Sequence, residues 1–169
     1  MRFITKLALF FCLCTPIFSI PIEKFKSALT FSGKNYSISP VESITLFGAK
    51  NKSFITPNWY WGEAGYGALG GRRSGYLEGG IMLGYVTPLN SPWMGECRLF
   101  AGAGGGGSAP QGGGCILEPT IGIGFPINAQ SEMMLELGYI TFLNGDIHSL
   151  TLGLSINWYY WNLAVPLEK

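Results

Sequence analysis

The run Ser149-Leu150-Thr151-Leu152-Gly153-Leu154-Ser155-Ile156-Asn157-Trp158-Tyr159-Tyr160 keeps a period of two for twelve residues. Leu150, Leu152, Leu154, Ile156, Trp158 and Tyr160 share one parity, and Ser149, Thr151, Gly153, Ser155 and Asn157 share the other. Successive strand residues point to opposite faces, so this run is a β-strand with one oily and one polar face. The pattern recurs upstream. Leu77, Ile81, Leu83 and Tyr85 alternate with Glu78, Gly80 and Gly84, and Met133, Leu135, Leu137 and Tyr139 alternate with Glu132, Glu136 and Gly138.

Turn chemistry divides the strongly patterned region, residues 58–161, into segments. The dividers are residues 70–73, 88–92, 104–114, 126–130 and 144–146, all rich in Gly, Pro or Asn. Asn144-Gly145 predicts a two-residue hairpin with positive φ at both positions. Six antiparallel strands follow from these divisions. Residues 20–57 supply two more, near 28–37 and 41–49, and residues 162–169 form a C-terminal tail. Pro119 falls inside the sixth strand, where it cannot donate a ladder hydrogen bond, and predicts a bulge there.

The first nineteen residues read as an export leader: Arg2 and Lys6 precede an apolar run from Leu7 to Phe18, with Ser19 at a suitable cleavage position. The apolar run is too short to span a bilayer, and no later stretch approaches twenty apolar residues. Without Arg2 and Lys6, nine of the eleven Lys and Arg face ten acidic residues. That balance offers no clustered positive field for nucleic acid. Cys97 and Cys115 flank the glycine run on one oily parity. In an exported chain they are either a disulfide or two reduced thiols facing an apolar medium.

Two architectures suit short alternating strands: a soluble barrel or sandwich with an oily core, and a membrane barrel with its oily side outward. Charge separates them. Only 12% of residues are charged, against about 25% in soluble domains. The polar face carries Gly, Ser, Thr and a single Glu per segment, which suits a narrow lumen better than a solvated exterior. The tryptophans agree, because an indole favours a membrane interface. Trp59 and Trp61 open the third strand, Trp93 opens the fifth, and Trp158 and Trp161 close the eighth. An up-and-down meander brings all five to one rim, the periplasmic one in bacterial barrels.

The closing strand, through Thr151, Gly153, Ile156 and Trp158, resembles the carboxyl-terminal recognition signal of bacterial outer-membrane β-barrels, and the chain is similar to their small eight-stranded class. The resemblance implies an all-β, up-and-down antiparallel transmembrane barrel, handled by the barrel-assembly machinery, resident in outer-membrane lipid. A monomer is expected.

The chemistry-bearing constellation is Glu63, Glu78, Glu96, Glu118 and Glu136 on the polar face, with Arg98 the basic residue among them. A closed barrel points them inward. There they either form a hydrogen-bonded polar core around Arg98, or a subset of two or three binds a cation or exchanges protons. Their depths are too spread for one metal site holding all five, so no metal or other cofactor is expected. Inward glycines, Gly65, Gly67, Gly80, Gly84, Gly122, Gly124, Gly138 and Gly153 among them, serve tight curvature or leave room for a ligand.

No catalytic residue is assigned. The single histidine, His148, is adjacent to Ser149 in sequence, and neighbours in a strand face opposite ways, which disfavours a base and nucleophile pair. Gly102, Gly104 and Gly107 match a dinucleotide fingerprint without the helix that gives the motif its function, and read as a flexible outer loop. The function expected is therefore structural or envelope-associated and not enzymatic. The alternatives are a narrow barrel for a small solute or cation and, behind it, a lipid-modifying enzyme.

Overall fold

A computed structural model describes residues 23–110, 112 and 114–164. The leader, residues 1–19, lies outside them, as does the end of the C-terminal tail. Eight strands follow in chain order: β1 (Glu23–Ser39), β2 (Glu42–Phe54), β3 (Trp59–Ala68), β4 (Leu77–Pro88), β5 (Met94–Gly105), β6 (Cys115–Asn128), β7 (Ser131–Phe142) and β8 (His148–Ala164). Each consecutive pair is antiparallel and the ring closes on itself. Residues Phe25–Asn162 form one compact body. The first two strands are longer than residues 28–37 and 41–49, and the tail's first three residues continue β8.

Register converts alternation into an inside and an outside. Across β7–β8, Leu135 faces Leu154, Leu137 faces Leu152 and Tyr139 faces Leu150, all exposed, while Glu136 faces Gly153 and Gly138 faces Thr151 on the lumen side. Exposed large hydrophobics surround the wall, among them Ile81, Leu83, Ile121, Leu135 and Leu152. Such a surface is the reverse of a soluble barrel's.

The lumen is packed rather than open. Ile116, Ile140, Phe142, Ile147 and Tyr76 fill its loop end; Phe54, Tyr60 and Val86 fill the opposite end, and charged side chains lie between. Several inward glycines are where these side chains lie against the wall. A methyl at Gly84 would run into the Tyr60 ring, and one at Gly104 into the Tyr76 hydroxyl. Space left by glycine is thus occupied by the chain's own tyrosines.

Several expectations are corrected. Gly65 is exposed on the outer wall, and Gly67 shares its parity. Asn144 and Gly145 lie in a connection of five residues, 143–147, and neither has positive φ. Pro119 causes no register shift: Leu117 faces Thr141 and Thr120 faces Gly138 in one register, with pairing interrupted between them. Shifts occur instead at Pro126/Asn128 and at Ser37/Ser39, where strands meet turns.

The glycine run is not a free loop. Gly106, Gly107 and Gly112 take φ of 90°, 56° and 57°, and these turns press its backbone against Gly75, Arg73 and Asn144. Ala109 is buried with the apolar side chains of the barrel interior.

An ion-paired lumen as the candidate functional site

Between its apolar ends the lumen holds four cations and four carboxylates: Lys34, Lys50, Lys52 and Arg98 against Glu78, Glu96, Glu118 and Glu136, all buried. Six of the eight strands supply these charges, all but β3 and β8, and each does so through its inward parity. Lys34 comes from β1, Lys50 and Lys52 from consecutive inward positions of β2, and Glu96 and Arg98 from consecutive inward positions of β5.

Two clusters result. In one, Lys34 Nζ lies 2.5 Å from Glu78 and 2.6 Å from Glu118. Tyr36 and Tyr76 donate to Glu78 Oε2 at 3.3 and 3.2 Å, and Thr151 donates to Glu118 at 2.8 Å. In the other, Arg98 bridges Glu96 and Glu136, both at 2.8 Å. Lys50 reaches Glu136 and Lys52 reaches Glu96, each at 2.5 Å, while Tyr60 and Ser155 add hydrogen bonds to Glu96 and Glu136 at 2.8 and 2.7 Å. Charges taken out of water need counter-ions and hydrogen bonds; every member of the two clusters has an oppositely charged partner, and tyrosine, threonine and serine hydroxyls add hydrogen bonds to the carboxylates. No group of three metal-ligating side chains occurs among the described residues. The carboxylates are engaged by ammonium, guanidinium and hydroxyl donors.

The structure therefore brings together Glu78, Glu96, Arg98, Glu118 and Glu136 and leaves out Glu63. Glu63 is exposed on the outer wall, because Trp59 and Trp61 hold the same parity and also point outward. Arg98 is one of four cations that match four carboxylates in the two clusters, and a fifth buried carboxylate, Glu132, lies toward the tryptophan end, where the Tyr159 hydroxyl donates to it at 2.5 Å. Lys34, Lys50, Lys52, Tyr36, Tyr60 and Tyr76 were not singled out in the sequence. Their signal was available, since Lys50 and Lys52 alternate with Ala49, Asn51 and Ser53 as inward residues should.

Cys97 and Cys115 are free and exposed. Along the β5–β6 ladder Cys97 faces Ile121 while Cys115 faces Ala103, six steps from Cys97. That is roughly 20 Å, far beyond the reach of about 7 Å between Cα atoms that a disulfide allows. His148 is exposed and its Nδ1 lies 2.6 Å from the Thr141 hydroxyl, while Ser149 donates to the Leu150 carbonyl at 3.1 Å. The two make no nucleophile–base pair.

All five tryptophans, Trp59, Trp61, Trp93, Trp158 and Trp161, are exposed, at the barrel end away from the glycine loop. In the recognition-like strand Ile156 and Trp158 face outward, whereas Thr151 faces the lumen and binds Glu118.

At the opposite rim Arg73 ties three connections together. Its guanidinium donates to both Glu42 oxygens, at 3.1 and 2.8 Å, and to the carbonyls of Gly107 and Ser108. In this solvent-facing position beside the β1–β2 turn, the Arg73 hydrogen bonds hold the Glu42 carboxyl below its ordinary value. A depressed carboxyl contributes above its unfolded pKa and loses that contribution as pH falls through the folded one. Proteolysis within the glycine loop is expected to stay slow at neutral pH and to quicken only below about pH 4, the ordinary carboxylate range. A cleavage rate independent of pH from 7 to 3 in an acid-tolerant protease panel contradicts the clasp.

No protein-family model matches the chain, and no curated protein matches it. Solved structures do. The N-terminal β-barrel domain of Pseudomonas aeruginosa OprF superposes with a TM-score of 0.62 at 11% identity, covering 80% of this chain and 97% of that one. Neisserial surface protein A (NspA) gives 0.53 at 13%, covering 82% and 98%. Ail, the attachment invasion locus protein of Yersinia pestis, gives 0.52 at 10%, covering 81% and 98%. At such identities the likeness is one of fold: the chain has the closed, eight-stranded, up-and-down architecture of small outer-membrane β-barrels.

Proposed function

We propose that the protein is a small outer-membrane β-barrel with a structural or envelope-associated role and no catalytic activity, held in lipid and inserted by the barrel-assembly machinery. The observation that carries this reading is the inversion of the wall: leucine, isoleucine and tryptophan outside, a neutralised ion network inside. Barrels of eight strands are just wide enough for side chains to fill them. Here tyrosines, isoleucines and the paired charges fill the lumen from end to end, which supports a plug rather than a pore. The fold shared with OprF, NspA and Ail supports the same placement.

The solute or cation reading weakens because Lys34 holds Glu78 and Glu118, while Glu96 and Glu136 each hold a lysine and share Arg98. Planar-bilayer recording decides between them. The wild-type protein is expected to produce no conductance steps and no cation selectivity. Steady wild-type steps that change with Glu→Gln substitutions at 96, 118 and 136 contradict the plugged barrel.

A further inference from the structure

Glu63 occupies a position meant for a lipid-facing side chain. Strand β3 has ten residues, the length of a spanning strand, and Glu63 is its fifth. Its side chain is exposed on the outward parity of Trp59 and Trp61. On that parity it follows Trp59 by four steps of about 3.3 Å and Trp61 by two, which puts it just inside the aromatic belt, at the edge of the hydrocarbon. Lys50 and Lys52 on neighbouring β2 point into the lumen, to Glu136 and Glu96. Among the described residues Glu63 makes no ion pair and no side-chain hydrogen bond. A carboxyl in hydrocarbon lacks the water that would satisfy it, and an ionisable group on a membrane face ordinarily marks a function.

Directly across the β2–β3 ladder stands Asn51, also exposed. The Tyr160 hydroxyl donates to Asn51 Oδ1 at 3.1 Å, while the Asn51 amide hydrogens have no acceptor among the described residues. An acceptor without donors thus lies beside a donor without acceptors. The surrounding wall mixes the small or polar Ala49, Ser53 and Gly65 with Phe47, Trp61 and Ile81, whereas the β6–β8 wall is Ile121, Ile123, Leu135, Leu137, Leu152 and Leu154. A Cβ added at Gly65 would meet nothing within 4 Å.

We infer that the β2–β3 wall is the contact surface for a second copy of this chain, with Asn51 of each copy donating to Glu63 of the other. Two barrels inserted in the same sense are related by a two-fold axis along the membrane normal, and such a contact is self-complementary. With that axis passing in front of the gap between β2 and β3, side chains on either side of it exchange partners. Each carboxylate then meets an amide instead of a second carboxylate, and Ala49 and Gly65 let the walls approach. This inference rests on the membrane reading. It departs from the sequence-based expectation of a monomer.

The test expresses the full chain in a Gram-negative host, with C97S and C115S removing the free thiols, and oxidises isolated envelopes carrying Gly65→Cys. A disulfide-linked species of twice the chain mass is expected from Gly65→Cys and not from Leu135→Cys on the opposite wall. Glu63→Leu or Asn51→Leu in the Gly65→Cys background is expected to cut its yield roughly tenfold or more, with heat-modifiable migration retained. An inserted, heat-modifiable Gly65→Cys barrel that stays single, that cross-links to a protein of another mass, or that dimerises equally well with Glu63→Leu overturns the inference alone. A wild-type chain that neither inserts nor shifts on heating overturns the membrane reading and this inference together.

Discussion

Glu136→Gln is expected to lower the unfolding free energy of the barrel by about 3–5 kcal/mol, the cost of stranding a buried charge by removing its partner. Glu136 is the meeting point of Lys50 at 2.5 Å, Arg98 at 2.8 Å and Ser155 at 2.7 Å. Glutamine keeps the volume but presents amide hydrogens to groups that are themselves donors. Arg98 retains Glu96, whereas Lys50, buried in the wall of β2, has no other carboxylate within bonding distance among the described residues.

Glu118→Gln supplies the internal comparison. There Lys34 still has Glu78 at 2.5 Å, so a smaller loss of about 1–3 kcal/mol is expected. Urea titration of the two variants in detergent micelles checks the order. Equal losses, or losses under about 1 kcal/mol in both, would mean the pairs are solvated as surface pairs are. The network itself is not the main source of stability, since a paired buried charge seldom outperforms an apolar filling of equal volume. Its value is in making the lumen solid without leaving a charge exposed there.

Leu135→Arg gives the second large effect, and its sign depends on what surrounds the barrel. Leu135 is 58% exposed and faces Leu154 across β7–β8. In a water-soluble protein, replacing so exposed a leucine by arginine changes stability by no more than about 0.5 kcal/mol. In a bilayer it costs about 2–4 kcal/mol near the midplane, less toward the interfaces. Refolding yield and urea midpoint in phospholipid vesicles are expected to fall together for Leu135→Arg. The Trp158→Asp variant, at the rim, should show an assembly defect of the same kind but shallower. An unchanged Leu135→Arg midpoint in vesicles would mean that the wall meets water.

The wall was legible in the sequence because period-two alternation survives any turn: β4, β7 and β8 declare their oily parity in every other residue. Their lumen partners followed from the same parity, which is why Glu78, Glu96, Arg98, Glu118 and Glu136 are all found inside. Glu63 failed for an instructive reason. Trp59-Tyr60-Trp61 offers aromatic residues on both parities, so chemistry suggested that the glutamate was inward, while counting from Trp59 and Trp61 puts it outward. Counting wins, because a strand cannot turn one side chain over without a bulge.

The lysines of β1 and β2 were harder. A lumen lysine looks, in one dimension, like any solvated lysine, and only ring closure brings Lys34 to Glu118 and Lys50 to Glu136, over 84 and 86 residues of separation. The hairpin at Asn144-Gly145 yielded to tertiary context too, since the backbone there is held against Gly112 of the neighbouring loop.

The most direct test of the central claim is fractionation followed by heat-modifiable electrophoresis of the chain expressed in a Gram-negative cell. The protein is expected in the outer-membrane pellet, resistant to a urea wash, and migrating faster unboiled than boiled because the closed barrel survives the detergent. Recovery as a soluble periplasmic protein, with the same mobility before and after boiling, would contradict it.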